Sequence, residues 1–227
     1  MVSAILLAAG KGKRLKLLIS KPLVKIGKQP AITYSLKQLD RHPDIDEIIL
    51  VVNSGNQAAI ARSIKPYCFK KIKCFVLGGK RRQDSVYNGL KVIDRNSKWV
   101  LIHDSARPFV DSISITRVIL AAKKNGAALL AVRPKATIKL SRKSGIVDQT
   151  LDRDKLWEVQ TPQVFEKNII LGAYQKYSRG DVTDDASLVE KLGRKVSIVE
   201  GDYSNIKITT AEDLLLAELI IKGKNAI

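Results

Sequence analysis

Short apolar segments that alternate with segments of helical periodicity are the feature that most constrains how this chain can fold. The apolar segments are nearly continuous and rich in β-branched residues, which is typical of strands buried on both faces of a sheet. Their alternation with helices predicts βαβ units and a mostly parallel sheet, and therefore an α/β fold. We expect strands over 3–8, 47–52, 73–77, 99–102 and 127–132, and helices over 30–39, 57–64, 84–93 and 114–124.

The pattern changes after residue 132. Residues 137–156 have the pattern of a strand, a Ser-Gly turn and a second strand. Their sequence is "TIKLSRKSGIVDQTLDR" followed by three more residues. It predicts a hairpin that leaves the α/β core. Helices are expected again at about 166–177 and 185–192, a strand in "RKVSIVEG", and a helix in "TAEDLLLAELI", where Thr210 and Asp213 have the spacing of a capping box. A chain of 227 residues suits one domain, 1–227, with such an appendage.

The charge balance indicates anionic partners. The chain has 40 Lys and Arg residues against 22 Asp and Glu, a net charge of +18 that is spread along the sequence. Nucleic acid, an anionic membrane surface and phosphorylated small molecules all fit this charge, and so does a lysine-rich surface without a specific role. No apolar run approaches the roughly 18 residues of a membrane span, and no positive charge precedes the N-terminal apolar run, so we expect a soluble cytoplasmic protein.

The loops that follow the strands should carry the chemistry, because open parallel sheets bind ligands at the carboxyl ends of their strands. These loops are "AAGKGKR", "LGGKRRQDS", "HDSARP" and "RPKAT". In the first, Gly10 and Gly12 let the backbone approach a ligand closely, and Lys11, Lys13 and Arg14 surround it with positive charge. A polyphosphate fits this loop. The loop is neither a Walker A motif nor a complete dinucleotide fingerprint, and an ordinary βα turn would have the same glycine spacing.

Lys21 and Asp104 extend the phosphate hypothesis. Lys21 follows Arg14 by seven residues, and is either a solvated loop lysine or a second cation directed at the same phosphates. Asp104 lies just beyond the predicted strand 99–102. A carboxylate there suits Mg²⁺, which binds one or two carboxylates together with phosphate oxygens. The alternative is a simple ion pair between Asp104 and Arg107.

Taken together, these segments resemble the bacterial 2-C-methyl-D-erythritol 4-phosphate cytidylyltransferases of isoprenoid biosynthesis. The matching stretches run almost from end to end: "AILLAAGKGKRL", "SKPLVKIG", "GGKRRQDSVYNGL", "IHDSARPFV", "ATIK", "LWEVQTPQVF", "TDDASLVE" and "NIKITTAEDLLLAE". The resemblance implies a Rossmann-like nucleotidyltransferase core. It further implies that the hairpin at 137–156 is an arm that reaches into the partner subunit of a homodimer. The implied reaction transfers CMP from CTP to the sugar-alcohol phosphate with Mg²⁺, and releases pyrophosphate.

The resemblance also implies roles for individual residues. The residues implied to bind the nucleotide are Ala8, Ala9, Gly10, Gly12, Gly78, Gly79 and Ser85. Those implied to act in catalysis are Arg14, Lys21 and Lys207, and Asp104 is implied to hold the metal. Those implied to contact the sugar phosphate are Asp104, Arg107, Thr137, Arg153, Thr161 and Thr183.

Three positions depart from the family pattern. Ser20-Lys21-Pro22 stands where Pro-Lys-Gln is usual, which bears on the rigidity of the loop. Ala136 replaces a usual Asp near the sugar substrate, and Lys80 replaces a common acidic residue near the cytosine. We therefore expect one polar contact fewer to the sugar. If the usual acidic residue reads the cytosine amino group, we expect a looser selectivity for CTP, unless backbone carbonyls recognise the base.

Three alternative functions remain open at this point. Ribitol 5-phosphate cytidylyltransferases share the glycine-rich loop and "NIKIT", although "TDDAS" and "LWEVQTPQ" favour the methylerythritol family. A basic nucleic-acid-binding protein would explain the charge, but the sequence contains no signature of a recognition helix or a stacking platform. A catalytically inactive relative is disfavoured because Arg14, Lys21, Asp104 and Lys207 are all present.

Overall fold

A seven-stranded sheet lies at the centre of the protein in a computed structural model, which describes residues 1–10, 20–142, 145–177 and 179–224. The strands of the described chain are β1 (Val2–Leu7), β2 (Lys25–Ile26), β3 (Gln29–Pro30), β4 (Glu47–Val52), β5 (Ile72–Leu77), β6 (Trp99–Asp104), β7 (Ala127–Val132), β8 (Lys139–Leu140), β9 (Gln149–Thr150), β10 (Glu158–Glu166) and β11 (Ser197–Glu200). The α-helices are α1 (Ala31–Arg41), α2 (Gln57–Ile64), α3 (Arg82–Leu90), α4 (Ser112–Asn125), α5 (Lys167–Tyr177), α6 (Ala186–Lys191) and α7 (Ala211–Lys224). Most predicted boundaries agree with these to within one to three residues.

The order of the strands confirms a mostly parallel α/β sheet. The order is β11-β7-β10-β6-β1-β4-β5, and every neighbouring pair is parallel except the two that involve β10, which runs antiparallel to β6 and β7. The carboxyl ends of β1, β4, β5 and β6 therefore lie along one edge. Asp104 is the last residue of β6 rather than a loop residue, because its pairing with Leu7 of β1 continues the ladder.

Strand β10 was not predicted from the sequence, and Pro162 is the reason. A proline cannot donate to the ladder, and inside an apolar run it argues against a central strand. Here the register against β7 shifts between Val159, which pairs with Ala131, and Gln163, which pairs with Leu129. Pro162 falls within this irregular stretch, so the strand accommodates it without a missing ladder bond.

Helices cover both faces of the sheet, as a doubly wound fold requires. Alternate residues of β1 point to opposite faces: Ala4 and Leu6 pack in the cluster that contains α1, α2 and α4 residues, whereas Ile5 packs with residues of α3, α5 and α6. Helix α7 packs in a third, smaller cluster that includes Ile26 and Ile208. Among the described residues, no helix is long and apolar enough to cross a membrane.

The predicted hairpin is present, but its ladder is short. Strands β8 and β9 pair antiparallel over two residues each, and Arg153–Lys155 forms a 3-10 turn instead of continuing the second strand. We call residues 137–156 the arm. The predicted capping box is confirmed at α7, where the Thr210 amide donates to Asp213 Oδ2 over 2.8 Å and the Asp213 amide donates to Thr210 Oγ1 over 3.4 Å.

Candidate active site

Two cavities meet at the carboxyl ends of β1 and β6. The larger, of about 530 Å³, is lined by the end of β1, by Lys21 and by the start of α3. The smaller, of about 400 Å³, lies between β6, β10 and the start of α6. Arg82, Asp104 and Lys207 line both cavities. Ligands bound in the two cavities would therefore meet at these three side chains.

Most of the residues implied to bind the nucleotide line the larger cavity. These are Ala8, Ala9, Gly10, Gly79 and Ser85. Gly78 supports them from behind: a Cβ there would lie 2.6 Å from the Cβ of Ala9 and 2.7 Å from Ser85 Oγ, so this close approach requires glycine. The Gly79 amide donates to Ser85 Oγ over 3.1 Å, which fixes the loop after β5 against α3. Lys11, Gly12, Lys13 and Arg14 lie outside the described residues.

Two asparagines that the sequence analysis did not identify hold the strand end beside this cavity. Asn56 Nδ2 donates to the carbonyl of Ala8 and to Ser20 Oγ, each over 2.9 Å. Asn53 Nδ2 donates to the carbonyl of Ala9 over 3.0 Å. The chain on both sides of residues 11–19 is thus attached to the loop after β4, through the backbone of Ala8 and Ala9 and the side chain of Ser20. The general rule that strand ends carry the chemistry was the one signal that could have indicated these residues.

Lys21 approaches the segment that carries Lys207. Lys21 Nζ donates to the carbonyl of Ile208 over 3.2 Å, and both lysines line the larger cavity. This placement favours the interpretation of Lys21 as a cation directed at the same ligand over that of a solvated loop lysine.

The residues implied to contact the sugar phosphate divide into two groups. Asp104, Arg107, Thr161 and Thr183 line the smaller cavity, together with Lys207. Thr137 and Arg153 line neither cavity of their own chain among the described residues. Both are exposed on the arm, where Arg153 Nη1 donates to the carbonyl of Lys135 over 3.3 Å.

Asp104 binds two cations at the junction of the cavities. Its Oδ1 accepts from Arg82 Nε over 3.1 Å, and its Oδ2 accepts from Lys207 Nζ over 2.6 Å. Burial alone would raise the pKa of this carboxyl, but the charges of Arg82 and Lys207 hold the pKa well below its usual range. The alternative ion pair with Arg107 is wrong, because that guanidinium donates instead to the carbonyls of Asn205, over 2.7 Å, and Val159, over 3.1 Å.

His103 is neutral and serves the structure of the site. His103 Nε2 lies 3.0 Å from the carbonyl of Arg107, which can only accept, so Nε2 donates and Nδ1 of the neutral ring accepts. The Thr161 hydroxyl therefore donates to Nδ1, 3.0 Å away, and itself accepts from the Asp104 amide over 3.1 Å. Burial lowers the pKa of His103 to about 4, which keeps the ring neutral at pH 7. Both ring nitrogens are occupied, so His103 is not available as a general base.

Arg82 is the main residue that sequence reasoning missed. It is the first residue of α3 and bridges Asp104 to the buried Asp185, which its Nη1 contacts at 2.8 Å. The loop "LGGKRRQDS" had been identified as part of the site edge. However, three consecutive cations, Lys80, Arg81 and Arg82, look alike in the sequence, and their packing alone separates their roles.

Comparison with known proteins identifies the family. Residues 2–223 match the family model described as IspD, 2-C-methyl-D-erythritol 4-phosphate cytidylyltransferase. The chain is 46% identical over 226 residues to the enzyme of that name from Geobacillus thermodenitrificans, with 98% of each chain covered. It is 45% identical over 222 residues to the one from Clostridium botulinum, with 97% of each chain covered.

Solved structures agree with this result. The 4-diphosphocytidyl-2C-methyl-D-erythritol synthase of Anaerococcus prevotii is 37% identical with a TM-score of 0.87, over 97% of this chain and 96% of that one. The 2-C-methyl-D-erythritol 4-phosphate cytidylyltransferase of Thermus thermophilus is 29% identical with a TM-score of 0.80, over 98% and 100% of the respective chains. The chain thus belongs to the IspD family of 2-C-methyl-D-erythritol 4-phosphate cytidylyltransferases.

Proposed function

We propose that this chain transfers CMP from CTP to 2-C-methyl-D-erythritol 4-phosphate, giving 4-diphosphocytidyl-2-C-methyl-D-erythritol and pyrophosphate in isoprenoid biosynthesis. Family membership supports this enzymatic function over that of a basic nucleic-acid-binding protein. The observation that carries the proposal is the junction of two cavities at Arg82, Asp104 and Lys207. CTP in the larger cavity and the acceptor in the smaller one would bring their phosphates together at this junction.

The reaction needs no general base from the protein. A phosphate monoester has a second pKa near 6, so the acceptor phosphate is mostly a dianion at pH 7. One of its oxygens forms a bond to the α-phosphorus of CTP, the bond from that phosphorus to the bridging oxygen breaks, and pyrophosphate leaves. What the protein supplies is alignment of two anions and stabilisation of the added charge.

The cations around the junction match these tasks. Lys21 lines only the larger of the two cavities and would contact the α-phosphate. Arg107 lines only the smaller one and would contact the acceptor phosphate. Lys207 lines both, and can stabilise charge on either side of the forming bond. The guanidinium of Arg107 is oriented by two backbone carbonyls, so its direction is fixed before the substrate binds. Arg14 is proposed for the transition state on the family resemblance.

Magnesium fits this site as an ion shared with the nucleotide. Among the described residues, no three His, Cys, Asp or Glu side chains come together as a metal cluster. Asp104 is the carboxylate that lines both cavities, and a site with one carboxylate suits Mg²⁺ that is bound mainly by phosphate oxygens and water. Asp104 would hold such an ion, and the ion would neutralise part of the phosphate charge.

The same proposal includes a homodimer in which the arm completes the partner's site. Thr137 and Arg153 are exposed on the arm and line neither cavity of their own chain among the described residues. The arm also exposes apolar side chains, with Leu140 41%, Ile146 74% and Val147 55% exposed. Apolar groups exposed together are typical of an interface. A cytoplasmic location, where CTP is available, belongs to the same proposal.

The test is pyrophosphate release by the purified protein with CTP, Mg²⁺ and one of two acceptors. We expect release with 2-C-methyl-D-erythritol 4-phosphate and little with ribitol 5-phosphate. Lys207→Ala is the matched negative control, because it removes the cation common to both cavities. Faster release with ribitol 5-phosphate would reassign the acceptor, and no release with either would contradict the proposed function. Replacing CTP by UTP in the same assay measures the selectivity for cytosine, which the replacement of an acidic residue by Lys80 is expected to affect.

A further inference from the structure

A continuous series of contacts connects the buried side of helix α5 to the junction of the two cavities. It starts at Tyr174, whose hydroxyl donates to Asp185 Oδ1 over 2.5 Å. Asp185 Oδ2 accepts from Arg82 Nη1 over 2.8 Å, and Arg82 Nε donates to Asp104 Oδ1 over 3.1 Å. The series ends with Lys207 Nζ, which donates to Asp104 Oδ2 over 2.6 Å. Each carboxylate is thus bound through both of its oxygens.

The buried end of this series is an anchor rather than a substrate contact. Tyr174 and Asp185 are both fully buried, and neither is among the described residues that line the two cavities. Burial and the charge of Asp185 raise the pKa of Tyr174, so its hydroxyl remains a donor at neutral pH. The ring of Tyr174 stacks on Tyr87 at 5.8 Å, and Tyr87 lies on α3, the helix that begins with Arg82. Helices α3, α5 and α6 are therefore joined at this point.

We propose that Arg82 is a positioning residue for the transfer reaction, held by Asp185 and Tyr174 so that it fixes Asp104 and, through Asp104, the ammonium of Lys207. This role rests on the proposed function. Arginine suits it because its planar fork can donate to two carboxylates in fixed directions, which a lysine ammonium cannot reproduce.

Lys207 needs such support. Its side chain is 40% exposed at the cavities, and a lysine on a flexible four-carbon stem would otherwise sample many positions. The 2.6 Å bond to Asp104 holds it in one place. A charge that is already in place stabilises the transition state without reorganisation. The effect of Arg82 should thus appear in kcat rather than in the binding of CTP, whose base is expected near Ser85.

Tyr174→Phe tests the remote end with the loss of a single hydroxyl. We expect kcat to fall roughly ten-fold, the lower end of the range seen when hydrogen-bond partners of metal-ligating residues are removed. The KM for CTP should stay near that of the wild type. Tyr177→Phe is the matched control, since Tyr177 lies on the same helix and makes no hydrogen bond to a residue within the described ranges. It should change neither parameter.

A double-mutant cycle separates this role from a purely structural one. Arg82→Lys keeps the charge but loses the fork, and we expect a larger fall in kcat than for Tyr174→Phe. If Tyr174 acts through Arg82, adding Tyr174→Phe to Arg82→Lys should lower kcat by less than about two-fold. Losses that multiply fully would overturn the proposal. So would a loss of kcat that the folded fraction, measured by circular dichroism, explains completely.

The ammonium resonance of Lys207 gives a readout that does not need activity. Its NMR signal, assigned by its disappearance in Lys207→Arg, should shift or broaden in Arg82→Lys and Tyr174→Phe but not in Tyr177→Phe. If the wild type has no turnover but the Lys207 signal still shifts in Arg82→Lys and Tyr174→Phe, the proposed function is refuted and the positioning of Lys207 stands. An active wild type whose Lys207 signal and kcat are unchanged by Tyr174→Phe would refute the role of Arg82.

Discussion

A chain mutated in the cleft, by which we mean the two joined cavities, and a chain mutated in the arm should restore each other's activity when they form hybrid dimers. Lys21 lines the larger cavity, whereas Arg153 lies on the arm and lines neither cavity of its own chain among the described residues. If the arm completes the partner's site, Lys21→Ala and Arg153→Ala are each expected to be nearly inactive as homodimers. In a hybrid, one site carries both lesions. The other carries none, because its cleft comes from the Arg153 variant and its arm from the Lys21 variant.

The expected recovery follows from the symmetry of the dimer. Random pairing of equal amounts makes half of the dimers hybrids, and each hybrid has one intact site of two, so roughly a quarter of the wild-type activity should return. The assay is pyrophosphate release after the two variants are unfolded and refolded together, with hybrid formation measured by native mass spectrometry. The control pairs Lys21→Ala with Lys207→Ala, since both lesions lie in the same cleft and no hybrid site escapes them. If the confirmed Lys21 and Arg153 hybrids are no more active than their parents, the shared-site model is refuted.

Three further predictions concern single groups. Lys21→Ala should lower kcat by roughly 10²–10³ and change KM far less, since removal of one preorganised charge contact has effects of this size; a near-normal kcat would make Lys21 an ordinary loop residue. Asp104→Asn should raise the Mg²⁺ concentration needed for half-maximal activity, and an unchanged titration would exclude Asp104 as a metal ligand. The low pKa of buried His103, about 4 against a usual value near 6.5, means that the unfolded chain binds the extra proton first as the pH falls. The free energy of unfolding should therefore be greatest above about pH 6.5 and fall by up to roughly 3 kcal/mol towards pH 4, and a flat profile in denaturant titrations would contradict this.

Local patterns in the sequence were enough to predict most elements of the fold. In β1, alternate residues pack in opposite layers, and their uninterrupted apolar character indicates a strand covered on both faces. The capping box at Thr210 and Asp213 is likewise a matter of residues three apart. Strand β10 could not be predicted this way, because Pro162 is tolerated there only through a change of register against β7. That register depends on a strand distant in sequence.

The same distinction applies to the site. Local patterns drew attention to the glycine-rich loop and Asp104 but left an ordinary βα turn and a simple ion pair as alternatives, and Lys207 came only from the family resemblance. Arg82 acquires its role only when α3, β6 and α6 come together, since its two carboxylate partners lie 22 and 103 positions further along the chain. Its neighbour Arg81 also lines the larger cavity but pairs with other carboxylates, Asp84 over 2.6 Å and Asp181 over 3.2 Å. Nothing in the order of the residues distinguishes the two arginines.

The network around Asp104 connects the fold to the chemistry. Two phosphate groups repel each other, so a site that joins them must keep several cations close together, and these cations also repel one another. Asp104 and Asp185 allow Arg82 and Lys207 to remain side by side, because each carboxylate lies between a cation and another hydrogen-bond donor. The topology that places β6 between β10 and β1 brings Asp104 to the centre of this arrangement. A site organised in this way can position charge without a general base, which agrees with a neutral His103 whose two ring nitrogens are both engaged in the structure.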